Sequence, residues 1–175
     1  ALGLDGAGDD VKLHHARVPG HHVRERVGAL GVGPEEGPVE RRGGVGVVLK
    51  GQDLDLGREG AVKMLQEGHA ANPDAVRRFV EEAQIEGQLQ HPGIVPIYEI
   101  GLTKDRRPFF SMKLVRGRTL AEMLAARAAE GTPHRRFLQV FESVCQTMAY
   151  AHARGVIHRD LKPANVKVRD DGTVK

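Results

Sequence analysis

Val156-Ile157-His158-Arg159-Asp160-Leu161-Lys162-Pro163-Ala164-Asn165-Val166 is the stretch on which the fold turns. It sets polar and conformationally restricted residues between an apolar helical pattern and the alternating pair Val166 and Val168, which suits a small strand. A solvated loop would account for the charge. It does not require an Asp, a Lys and an Asn at offsets of zero, two and five on a turn stiffened by Pro163.

Outward from this loop, Phe137, Leu138, Phe141, Val144, Cys145, Met148 and His152 recur at helical spacing. Thr132-Pro133 suits the start of that helix and Gly155 its exit, with Cys145 as a small buried apolar residue within it. Thr119 and Glu122 stand at the offset of a capping box, ahead of a short helix carrying Met123 and Leu124. Further back, Phe109 to Val115 and Ile94 to Ile100 are expected as strands around a turn rich in Lys, Asp, Arg and Pro. Asn72-Pro73 caps a helix whose face holds Val76, Phe79, Val80 and Ala83, with Glu82 at the edge of the stripe and His91-Pro92-Gly93 as its end. Val45 to Lys50 and Ala61 to Leu65 are expected as antiparallel neighbours. The pattern is α+β: about five short strands with one helix, then a mainly helical part, the change falling near Arg116-Gly117.

With these elements in order, the His158-Arg159-Asp160-Leu161-Lys162-Pro163-x-Asn165 run resembles the catalytic loop of eukaryotic-type Ser/Thr protein kinases, and looks most like the bacterial receptor-type members. The resemblance implies a kinase-like fold. A small antiparallel-sheet lobe with its regulatory helix would span 37–115, and the first helices of the large lobe 116–175. It implies that Asp160 orients and deprotonates a substrate hydroxyl, that Lys162 steadies the transferring phosphoryl group and that Asn165 ligates magnesium. Arg159 would meet an acidic or phosphorylated activation segment, and Lys162 favours Ser/Thr over Tyr as acceptor. Phosphoryl transfer gathers negative charge on oxygens between the attacking hydroxyl and the leaving diphosphate, so cations near those oxygens and a carboxylate near the hydroxyl suit the chemistry.

The earlier strands extend the likeness. Lys63, in Ala61-Val62-Lys63, matches the strand-three lysine, and Glu82 matches the regulatory-helix glutamate that would hold it against the ATP phosphates. Met112 falls at the gatekeeper position, Lys113 and Val115 would offer hinge backbone groups to adenine, and Val48 and Ala61 would pack on the purine. Gly43 and Gly46 fill the second and third glycine positions of the glycine-rich loop, while Arg41 occupies the first. ATP and Mg2+ are the implied cofactors, and a protein bearing a Ser or Thr acceptor is the implied partner.

Three departures stand out: Arg41 in a glycine position, Gly60 where an apolar residue normally precedes Ala61, and an end at Asp171 to Lys175, before the Asp-Phe-Gly motif. The last predicts a catalytic domain truncated after its catalytic loop, weak in ATP binding and without turnover. The alternative is a non-catalytic, kinase-like interaction or residual nucleotide-binding fragment. Self-association through exposed large-lobe core is expected with either.

Composition sets the remaining bounds. Fourteen of the 22 glycines lie in the first 60 of 175 residues, so residues 1–36 are expected to be irregular. The 26 basic and 23 acidic residues are interspersed, and the arginine pairs are dispersed, which argues against a nucleic-acid surface despite a pI near 9.2. A single Cys excludes an internal disulfide, and no apolar run reaches membrane-spanning length, so a reducing, cytoplasmic setting is expected. His14-His15 and His21-His22 lack partners for a metal site by pattern.

Overall fold

A computed structural model describes residues 30–31, 41–42, 45–53, 56–103, 105–131 and 133–175 of the chain. The elements run β1 (Leu30–Gly31), β2 (Arg41–Arg42), β3 (Gly46–Asp53), β4 (Arg58–Leu65), α1 (Glu67–Ala70), α2 (Pro73–Gly87), β5 (Ile97–Leu102) and β6 (Pro108–Lys113). They continue with β7 (Arg118–Thr119), α3 (Leu120–Glu130), α4 (His134–His152), a 3₁₀ turn at Pro163–Asn165 and β8 (Lys167–Val168). The chain is thus a mixed α and β molecule with a sheet-rich first part and a helical second part.

The first six strands form one antiparallel sheet ordered β1-β3-β4-β6-β5, with β2 also pairing β3. Its register sets Val48 opposite Lys63 and Lys63 opposite Phe110, and likewise Lys50 opposite Ala61 and Ala61 opposite Met112. Directly paired residues share a face, so Val48, Ala61, Lys63, Phe110 and Met112 all project to the same side of the sheet. On that side α2 buries Phe79 and Ala83 against Leu65 and Phe110, with Val76, Ile97 and Met112 around them. The Phe79 and Phe110 ring centroids are 5.2 Å apart. The opposite side carries Val62 and Phe109 under Met64.

Local chemistry fixes the ends of α2 and α3. The Asn72 side chain accepts from the Asp74 and Ala75 amides at 3.0 and 3.2 Å, and Pro73 begins the helix where a missing N–H costs nothing. At α3, Thr119 Oγ1 accepts from the Glu122 amide while Glu122 accepts from the Thr119 amide, completing the capping box. The second core then joins Met123, Val140, Val166, Val168 and Val174, with Leu120, Phe137 and Val144 packed against it. β7 and β8 pair beside it, and Val168 also bridges Val174.

The two parts meet at few places. The chain crosses at Gly117, whose φ of 134° and close approach to the Val168 and Arg169 backbone leave no room for a Cβ. The Tyr150 hydroxyl accepts from the Gln90 amide at 3.0 Å, and the Tyr150 ring stacks on His91 with centroids 4.8 Å apart. The Arg154 guanidinium lies over Tyr150 from the turn that follows α4, and Arg58 covers Tyr98 on β5.

Several expectations are corrected. β5 begins at Ile97 rather than Ile94, because the Ile94 amide closes a turn to the His91 carbonyl and Pro96 has no N–H to give a ladder. Helix α4 carries two apolar stripes, and Phe137, Val140 and Val144 take the inward one. Leu138 and Phe141 are therefore 67% and 66% exposed, and Cys145 is exposed rather than buried. Residues 1–29 and 32–36, with the two His pairs, lie outside the described residues; Leu30–Gly31 is not irregular but pairs with β3.

Candidate functional site

Lys63 points from the middle of β4 towards α2, where its Nζ meets Glu82 Oε1 at 2.5 Å. The helix cap at Asn72 and the burial of Phe79 and Ala83 set the rotation that presents Glu82 to the sheet. The Lys63 ammonium also lies 5.4 and 5.8 Å from the Phe110 and Phe79 ring centroids, so an apolar wall backs the pair. The lysine side chain is only 25% exposed whereas that of Glu82 is 53% exposed, which leaves the cation held in place from one side.

One turn further along α2 stands Glu86, which pattern-reading passed over. Burial pushes its carboxyl up to about 7, the Glu82 charge adds to the rise and Lys63 opposes it. The signal was available: an acid four residues beyond Glu82 shares its helix face.

In the second lobe, the loop after α4 folds around Asp160. Lys162 Nζ donates to Asp160 Oδ1 at 2.8 Å, and Asn165 Nδ2 donates to Asp160 Oδ2 at 3.0 Å and to its backbone carbonyl at 2.8 Å. The Lys162 hydrogen bond, then that of Asn165, hold the Asp160 carboxyl below the usual carboxylate range. Arg159 takes a left-handed conformation at φ 61°, and the Asp160 amide bonds the His158 carbonyl at 2.8 Å. The offsets of zero, two and five thus correspond to one closed hydrogen-bonded cluster.

The remaining candidates lie on the sheet and at its exit to the helical part. Val48 and Ala61 project from the Lys63 side of the sheet, and Met112 is half-buried beside them. Gly46 opens β3, where a Cβ would sit 3.3 Å from the Met64 carbonyl. Gly43 lies outside the described residues. The Lys113 amide is engaged by the Pro96 carbonyl at 3.1 Å, so among the groups of Lys113 it is the carbonyl that can face a ligand. The Val115 carbonyl accepts from Lys167 Nζ at 3.4 Å, a contact that no local pattern announces across 52 positions.

Asn165 Nδ2 is spent on Asp160, so its side-chain carbonyl is the hard oxygen donor this cluster has for magnesium, an ion that keeps several waters and shares phosphate oxygens. Among the described residues no group of three or more His, Cys, Asp or Glu is placed to hold a metal. No helix among the described residues is long and apolar enough to cross a membrane.

Residues 42–175 match the model of the protein kinase domain. The chain is 40% identical over 134 residues to serine/threonine-protein kinase PknD of Chlamydia pneumoniae, covering 71% of this chain and 14% of that protein. It is 38% identical over 149 residues to a probable serine/threonine-protein kinase of Streptomyces coelicolor, covering 83% and 22%. The PknD of Chlamydia muridarum is 37% identical over 134 residues, with 71% and 14% covered. The chain therefore spans less than a quarter of the length of these relatives.

Proposed function

The chain belongs to the protein kinase family, and on that premise we propose that it binds ATP between its two lobes and carries the groups that transfer the γ-phosphoryl group to a Ser or Thr hydroxyl of a protein. The observation that carries the proposal is the Lys63–Glu82 pair, formed with the lysine on the same sheet face as Val48 and Ala61. A cation held by a carboxylate is positioned without having to be recruited by the ligand, which favours electrostatic binding of phosphates.

Asp160 would receive the substrate hydroxyl. Its depressed pKa keeps it ionised near neutrality, so it accepts the hydroxyl hydrogen bond and takes the proton only as the new P–O bond forms and the bond to the diphosphate breaks. Lys162, already bonded to Asp160, has its charge beside the same point and would follow the phosphoryl oxygens. Asn165 together with phosphate oxygens would hold magnesium, which when bound neutralises charge on the phosphates.

Titration of the protein with magnesium and a fluorescent ATP analogue tests this. Lys63→Met is expected to weaken binding by about tenfold or more, while Asp160→Asn leaves binding within about twofold and abolishes any transfer to a Ser/Thr peptide. Binding indifferent to Lys63→Met would overturn the proposal. A second reading, in which the chain acts by contact rather than turnover and self-associates, draws on the exposed Leu138 and Phe141 of α4.

A further inference from the structure

Val115 follows β6 where the small lobe ends, and its carbonyl is one of the hinge groups expected to face a purine. In the folded chain that carbonyl already accepts a hydrogen bond from Lys167, whose Nζ reaches it at 3.4 Å from β8 in the other lobe. The lysine is not a freely placed surface residue. Its backbone pairs with Thr119 on one side and exchanges two bonds with Lys175 on the other, at 2.7 and 2.8 Å, and the residue is partly buried. Its charge also contributes to holding the Glu122 carboxyl low, after the bonds that carboxyl makes with Thr119.

We infer that Lys167 is a base-selecting residue, whose ammonium, bonded to the Val115 carbonyl, sets a positive donor group at that edge of the nucleotide pocket. The inference rests on nucleotide binding as proposed above. A base presenting an N–H towards Val115 meets a like-polarised ammonium beside a carbonyl that already accepts one hydrogen bond, whereas a base with a C–H or a lone pair there meets no such repulsion. The opposite wall, from Val48 and Ala61, is apolar and offers no compensating partner. The chemical group selected against is therefore an exocyclic amine on the base edge facing Val115, as in the 2-amino group that distinguishes guanine from hypoxanthine.

GTP and ITP differ only in that amine, so their competition against a magnesium-bound fluorescent ATP analogue on the full chain reads the effect. ITP is expected to displace the analogue about fivefold more tightly than GTP from the unaltered protein. Lys167→Met, nearly the same length without charge, is expected to bring the two within about twofold, and Lys167→Arg to restore the difference. Equal displacement by GTP and ITP from the unaltered protein would overturn the inference without any variant, as would an unchanged ratio in Lys167→Met. Failure of the unaltered protein to bind the ATP analogue at all is a different result: it removes the nucleotide-binding proposal, and base selection with it.

Discussion

At Glu86 a single carboxyl couples folding to pH. Its pKa is about 7 in the folded chain against 4.5 ordinarily, so between those values the folded state holds a proton that the unfolded state has released. The stability this proton gives is full below pH 4.5 and is lost as pH rises to 7, up to about 3 kcal/mol as an upper bound for a partly buried group. Glu86→Gln is expected to flatten that part of the stability profile and to raise the melting temperature at pH 8; an unchanged slope between pH 5 and 7 would refute it. Gly60 offers a contrasting residue. It is buried opposite Gly51 and Lys113, yet an added Cβ would stand 3.5 Å from the Met112 carbonyl, an ordinary contact. Gly60→Ala should therefore stabilise by about 0.5–1 kcal/mol, measured by denaturant unfolding, since the position has space and strand glycines lose backbone entropy on folding.

Between elements, one close fit is where the loop after α2 meets α4. A Cβ on Gly93 would lie within 3.0 Å of three Thr147 atoms, and Thr147 Oγ1 is itself bonded to the Ser143 carbonyl at 2.8 Å. Gly93→Ala is expected to cost about 1–3 kcal/mol and to speed hydrogen exchange at Gln90, whose amide depends on Tyr150. Protection unchanged at Gln90 would show that the loop moves independently of α4. Caps and periodicity made α2, α3 and α4 legible from sequence because their information is local: Asn72, Thr119 and Glu122 act within a single turn. Asp160, Lys162 and Asn165 stand close enough in sequence for their mutual hydrogen bonds to close within six residues, although their roles rest on the family resemblance rather than on spacing. Which stripe of α4 turns inward was not, because Phe137 with Val144 and Leu138 with Phe141 and Cys145 have the same period, and only the packing of Met123 and Val166 decides between them. The reach of Lys167 to Val115 depends wholly on how β7 and β8 pair, and no spacing encodes it.

Across the whole molecule, three small buried clusters, two on the sheet and one in the helical part, leave α4 with an apolar face that no described residue covers. Leu138 and Phe141 lie on that face one turn apart, so a second copy could bury both. Leu138→Glu with Phe141→Glu is expected to shift the sedimentation profile towards monomer at equal concentration while leaving the Lys63–Glu82 pair and ATP-analogue binding unchanged; a profile identical to that of the unaltered chain would rule this face out. The sparse junction has an optical consequence as well. The chain has no Trp and two tyrosines, Tyr98 under Arg58 on the sheet and Tyr150 against His91 at the lobe contact. Ultraviolet emission thus comes from one fluorophore in each lobe, unmasked by indole. In a Tyr98→Phe variant the surviving emission belongs to Tyr150 alone, so its intensity follows the separation of the ring from His91 and makes lobe opening visible without an attached dye.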